Sequence, residues 1–436
     1  MFKNTEFDAW TFQSFTTGTE ANVFDIKFPS FAIKCDMLND PVVKKKAFKE
    51  IAKYIAWCHE HLLVNEGPDV DYDGSPFPSN SIGARLRGQA LLPDGWRAAF
   101  LGCKSDSKAR VSMNHFSRNY SCTLVCEACL ACQGHVHAPL SLLYADFGSN
   151  AMWRNTVGTH ETYMSETAAH DLSCWSEVPG WRIELAWRDW MHNDYLGAGR
   201  DHLGSLAIDL LRHGRLGHGP ADRQLKQLWI EFAGPGGWCK RNGISSPPGS
   251  FSKRKFGRTT NKEYPMMSSS FKACHMKLLT AFFSEKASAV CEGSTYSKMR
   301  ATSIWALANC QHIMDTHGLI LDSSASGNLR ASIYLWLQSY QWLAHTSQTD
   351  NSCLYYIRPK FHYIDHIAMD IDLSKTWNLN PRFLSCMADE SFLGKLMKIG
   401  KKCHASSASL RLLQRWILFI AIRWQKRRRS QRWYLQ

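Results

Sequence analysis

Cys126-Glu127-Ala128-Cys129 places two thiols three positions apart, and His362-Tyr363-Ile364-Asp365-His366 places two imidazoles four apart on one face of a helix. A C-x-x-C in a reducing compartment points to zinc or redox chemistry. Zinc held by thiolates needs two further ligands. His135 and His137 are close in sequence, and the H-x-x-x-H pair is distant. Cys132 extends the pattern to C-x-x-C-x-x-C, but the fourth Cys and following Pro of a ferredoxin run are absent. Buried thiols without a ligand are the plain alternative.

The compartment follows from composition. The chain has 436 residues, 15 Cys and a net charge of +14. Met1-Phe2-Lys3-Asn4-Thr5-Glu6 has no apolar signal core, so an intracellular, nuclear protein with reduced thiols is expected. The run Trp416 to Ile422 falls far short of the roughly 18 apolar residues that span a bilayer, so no membrane partner is expected. The 17 Trp argue for extensive packing. The positive charge attracts polyanions, with DNA first among them.

Outward from the thiols, strands and helices alternate and then helices dominate. Phe24 to Asp36 has strand character and delivers Asp36; Trp96 to Cys103 reads as a strand followed by Lys104-Ser105-Asp106. Gly180 to Trp187 is a third, shorter strand. Pro41 to Leu63, Trp190 to His213, Phe271 to Phe283, Lys298 to Gly318 and Leu329 to His345 carry apolar residues at helical spacing. Ser406 to about Arg429 is a terminal helix ending in a basic run.

Rigid strands that each deliver an Asp suit hard divalent cations, because these want oxygen ligands held within a few Å. Asp at a strand end is also an ordinary turn or helix cap. Asp389 and Glu390 open an apparent helix, where acids are favoured electrostatically in any case. Lys253, Arg254, Lys255 and Arg258, in a Gly/Ser/Pro-rich loop, and the tail Lys426, Arg427, Arg428 and Arg429 are the candidate phosphate contacts. The tail equally suits a nuclear-localisation run or a solvated helix end.

These segments occur in an order that resembles the eukaryotic DDE/D cut-and-paste DNA transposases of the CACTA-like and related superfamilies, including transposon-derived proteins of repeat-rich protist genomes. Lys104-Ser105-Asp106 followed by Cys126-Glu127-Ala128-Cys129 is similar to their second catalytic Asp and downstream C-x-x-C. Arg188-Asp189-Trp190-Met191-His192 resembles their D-x-M-H segment. Arg358-Pro359-Lys360-Phe361-His362 with His366 resembles K-P-K-x-H-x-x-x-H. The pattern departs at Ser105, where the family carries Gly.

The resemblance implies an α+β, helix-rich fold: an RNase H-like mixed-sheet core interrupted by a large α-helical insertion. Residues 1–140 would begin the core, 141–350 would form the insertion, and 351–436 would complete the core with the H-x-x-x-H, the acidic pair and the basic C-terminal helix. It implies Asp36, Asp106 and Glu390 as catalytic Mg²⁺ ligands, with Asp389 the alternative third acid. Cys126, Cys129, His362 and His366 would hold a structural Zn²⁺. DNA would be the partner, with homo-oligomer formation left open. Two other readings share the same features: a nucleic-acid-binding protein that has lost catalysis, and a helical scaffold with a structural zinc site.

Overall fold

Asp40, Asp106, Ser294 and Asp322 cap four of the helices, and apolar helix faces assemble the body of the protein. The computed structural model describes residues 7–13, 27–34, 40–134, 142–257, 260, 262–404 and 407–434, excepting the side chains of 7–13, 27–34, 170 and 427–434. Asp36, His135, His137 and Arg258 lie outside the described residues.

Strands Phe7–Gln13 (β1) and Lys27–Lys34 (β2) pair antiparallel. Asp40 then caps helix Pro41–Val64 (α1), accepting from the Val42 and Val43 amides at 2.7 and 3.2 Å. The α1 residues Ala52 and Ala56 bury against Trp175 and Trp181. Strand Cys103–Ser105 (β3) runs into helix Ser107–Asn114 (α2) and pairs in parallel with Ala186–Arg188 (β4). The strand read over Trp96 to Cys103 is thus displaced: the ladder begins only at Cys103, because its partner is three residues long.

After β4 the expected continuous helix is divided. Met191–Ala198 is π-helical, Gly197 breaks it with φ −133° and ψ −109°, and Gly199–Arg212 (α3) continues as α-helix. Lys360 secures the break by donating to the carbonyls of His192 and Leu196 at 2.8 and 3.4 Å. A Cβ at Gly197 would lie 2.9 Å from the backbone carbonyl oxygen of His192 and 2.3 Å from the Lys360 side chain, so the position favours glycine.

Helices Ala221–Ala233 (α4), Ala273–Ala289 (α5) and Thr295–Thr316 (α6) follow. Ser294 caps α6, accepting from Ser297 N at 3.2 Å. Strand Ile320–Asp322 (β5) leads into Ser323–Thr349 (α7), which Asp322 caps. Then come Pro359–Asp370 (α8), Trp377–Leu379 (β6, antiparallel to β5), Met387–Gly400 (α9) and Ala408–Tyr434 (α10). Pro359 in the first turn of α8 suits a position whose N–H has no helical partner.

The largest core joins α3 to α8, with Leu206, Phe232, Phe283, Leu307, Trp336 and Phe361 inside it. A second, small core surrounds Cys126 and Cys129 with Val125, Trp153 and Tyr363. A third joins α9 to α10 through Phe392, Leu396 and Trp416. The protein is therefore helix-rich α+β. The described strands form three separate two-stranded pairs where one mixed sheet was expected, and β3–β4 is the parallel pair among them. No described helix is long and apolar enough to cross a membrane.

Candidate metal centre

The two cysteines sit on a tight loop and the two histidines on α8. Loop and helix are locked together by backbone-directed bonds: Tyr363 Oη donates to Val125 O at 2.9 Å, and Arg118 donates to the carbonyls of Glu127 and Cys129 at 3.1 Å each. The one-face spacing of His362 and His366 then aims both rings at the thiols.

All four side chains are buried, and their ligand atoms lie within 4.8 Å of one another. Cys129 Sγ is 3.2 Å from His362 Nε2 and 3.4 Å from His366 Nε2; Cys126 Sγ is 3.3 Å from His366 Nε2; the two Nε2 atoms are 3.2 Å apart. A tetrahedron built on Zn–S near 2.3 Å and Zn–N near 2.0–2.1 Å has S···N edges of about 3.5 Å and an N···N edge of about 3.3 Å. The arrangement fits that donor set. Four soft or borderline donors facing one another in a dry pocket form a group able to hold a metal such as zinc.

Without a metal, the group favours one thiolate rather than two. Burial opposes charge on Cys126, but the Cys129 thiol and the two imidazoles outweigh it and hold Cys126 well below an ordinary thiol. Cys129 is pushed up by its bond to Cys126 and by burial. Burial lowers His362, keeping its ring neutral as a ligand requires. The Trp153 ring packs edge-on against His362, with centroids 4.3 Å apart, and seals the group. Between the histidines, Asp365 turns away to Arg154 at 2.6 Å; burial raises its carboxyl to about 6.

A second cluster lies at the carboxyl ends of β3 and β4. Ser105 and Arg188 are register partners, so Asp106 and Asp189 are the next residues of two adjacent parallel strands, whose spacing is about 4.8 Å. Asp106 caps α2, accepting from Ala109 N at 2.7 Å. Asp189 accepts from the amides of Met191 and Cys386 at 2.9 Å each and pairs with the His192 ring. The opposite face of that ring reaches Glu390, with Nε2 and Oε1 3.2 Å apart. Burial would lower His192, but Asp189 and Glu390 prevail and raise it to about 9. Lys104 holds Asp389 at 3.0 Å and donates to the carbonyls of Phe383 and Ser385. Ligand atoms of Asp189, His192 and Cys386 also fall within 4.8 Å of one another.

Asp106 and Asp189, the latter read in the sequence only as part of a motif, thus follow neighbouring strands, and Glu390 meets Asp189 through His192; among the described residues the three acids form no common group of ligand atoms within 4.8 Å. The signal for Asp189 was available: like Asp106, it directly follows a short strand. Lys253, Arg254 and Lys255 lie on a 3₁₀ turn capped by Ser252, with Lys255 Nζ donating to Ser270 at 2.7 Å. Lys426 is exposed on α10, and the backbone helix continues through Arg427, Arg428 and Arg429.

No family model, no curated protein and no solved structure matches the chain.

Proposed function

We propose that the chain is a DNA-processing protein of DDE/D transposase descent, with a structural zinc centre formed by Cys126, Cys129, His362 and His366. The observation that carries the reading is the parallel β3–β4 pair, which sets Asp106 beside Asp189, with Glu390 meeting Asp189 through His192. In this reading β3–β4 belongs to an RNase H-like core, and Asp189 takes the place first given to Asp36. Oxygen donors from two strand ends and a helix suit Mg²⁺, which would supply Lewis-acid stabilisation of an in-line phosphoryl transfer. The chain's own part is to orient those acids: Lys104 fixes the α9 acidic pair through Asp389, and His192 spans Asp189 and Glu390. Lys253, Arg254, Lys255 and the α10 tail would meet DNA phosphates, and the protein would be nuclear.

Full saturation of the zinc centre by four protein ligands makes it structural, because catalytic zinc keeps an open position. The functional test is nicking of duplex DNA with Mg²⁺ or Mn²⁺. Asp189→Asn and Asp106→Asn should each abolish it, and unchanged nicking in both variants removes the assignment.

A second reading, a DNA-binding protein without catalysis, is favoured by one observation: Asp189 is already engaged by backbone amides and His192, and Asp106 by the α2 cap. Salt-dependent DNA binding with no nicking by the wild type selects it.

A further inference from the structure

We propose that Glu127, the residue inside the C-x-x-C, is a positioning residue that couples the Cys₂His₂ centre to the ends of β3 and β4. Its consequence for catalysis rests on the phosphoryl-transfer reading above; the coupling itself does not.

The geometry is specific. Glu127 is buried, and its Oε1 accepts from Arg110 Nη1 and, at 3.1 Å, from Arg188 Nη2. Arg110 belongs to α2, the helix that Asp106 caps, and its Nε donates to Ala186 O of β4 at 2.8 Å. Arg188 is the last residue of β4 and immediately precedes Asp189. Its Nη1 lies 3.3 Å from Asp370, the last residue of α8, which carries both histidines. One carboxylate thus joins the thiol loop, the helix behind Asp106 and the strand before Asp189.

The backbone ties Glu127 to the centre as firmly as the side chain ties it to the strands. Its neighbour Cys126 is a ligand, and Cys129 is two positions beyond; Arg118 holds the carbonyls of both Glu127 and Cys129. Any shift of the thiols therefore moves the carboxylate. Both guanidinium groups converge on the single oxygen Oε1, so a displacement of that atom reaches Arg110 and Arg188 together. The three charges are almost fully dry, with side-chain exposures of 2% for Glu127, 9% for Arg110 and 8% for Arg188. Water cannot replace a lost partner cheaply in such a place. Glu127, Arg188 and Asp189 line one small cavity together with Ser105 and Asn193.

A bare counter-charge would cost global stability when removed and nothing more. A positioning residue loosens two particular segments. The experiment uses the full-length, zinc-loaded protein and Glu127→Gln, which preserves shape and leaves every metal ligand intact. Leu228→Ala, in the α4 core, serves as a control for loss of stability remote from the site. Hydrogen exchange is followed in peptides covering 102–110 and 184–192, together with Mn²⁺ affinity. Glu127→Gln should keep its zinc, speed exchange about tenfold in those two peptides, and weaken Mn²⁺ binding roughly tenfold, as loss of an outer-shell partner does elsewhere. The control should leave both peptides at wild-type rates. Exchange in Glu127→Gln no faster than in the control overturns the coupling. If the wild type binds no Mn²⁺, the phosphoryl-transfer reading falls, and the exchange result still decides the coupling.

Discussion

The Cys₂His₂ centre and the β3–β4 acid end are neighbours joined by Glu127, yet they treat charge in opposite ways. At the centre, four donors face one another with no protein cation among them, and Trp153 closes the surface. At the strand ends every acid has a protein partner: Asp106 the α2 amides, Asp189 and Glu390 the His192 ring, Asp389 the Lys104 ammonium. Four buried donors gathered around one point, with the Ala128 amide donating to Cys126 Sγ, are able to hold a metal. Acids held by a lysine and a histidine are satisfied when no ion is there, and can exchange those partners for one. On the proposed reading, the first group would keep its metal permanently and the second would exchange its ion.

The largest expected effect tests permanence. Structural zinc contributes on the order of 10 kcal/mol of apparent folding free energy. Cys126→Ser or His366→Ala should therefore unfold the loop around the thiols, read as loss of near-ultraviolet Trp153 signal and a lowered melting temperature. A melting curve unchanged by either substitution, and by a strong chelator, breaks the comparison.

Next comes the link between the regions. Arg188→Met leaves Glu127 with Arg110 alone, and breaking a buried pair costs about 3–5 kcal/mol. Denaturant unfolding should show that loss; a change below about 1 kcal/mol, the scale of an exposed pair, would show that the network is wet.

A third prediction uses pH. Asp189 is held below the ordinary carboxyl range: burial opposes this, but His192 and backbone amides prevail. Asp194, on the π-helical stretch just beyond, is fully buried without a cation, and burial raises it to about 7. Between roughly pH 4 and 7 the native state then holds a proton that the unfolded state has released, so this group makes stability fall as pH rises through that window. Asp194→Asn should remove that slope and stabilise the protein above pH 7, by on the order of 2–4 kcal/mol. Melting temperatures of the two proteins that stay parallel from pH 4 to 8 would contradict this.

The smallest effect belongs to the cap. Asp106→Ala should cost about 1 kcal/mol by freeing the Ala109 amide. Asp106→Asn keeps the cap, so that variant separates capping from metal binding: stability near wild type with lost nicking supports the acid role.

The sequence made the metal centre legible because its two spacings are local rules. C-x-x-C turns a loop back on itself, and His362 and His366 share a helix face whatever lies between. The α5, α6, α7 and α10 helices were legible through apolar periodicity, but the capped starts of α6 and α7 at Ser294 and Asp322 lie upstream of the Lys298 and Leu329 that periodicity gave. What escaped depends on distant partners. The ladder at Cys103–Ser105, rather than Trp96 to Cys103, is set by β4, far along the chain. Asp189 was passed over because the strand read over Gly180 to Trp187 stops short of Arg188, and its pairing with β3 fixes the true end. Gly197-Ala198-Gly199 marks an interruption in the Trp190 to His213 helix, but nothing local announces that Lys360 reaches back to His192 O and Leu196 O there.

The account is tested most directly by elemental analysis of the purified full-length chain and of Cys129→Ser. It predicts about one zinc per folded wild-type chain, as a four-ligand structural site requires, and little or none in the variant. A well-folded wild-type protein that contains no metal and takes up none from added zinc would contradict it.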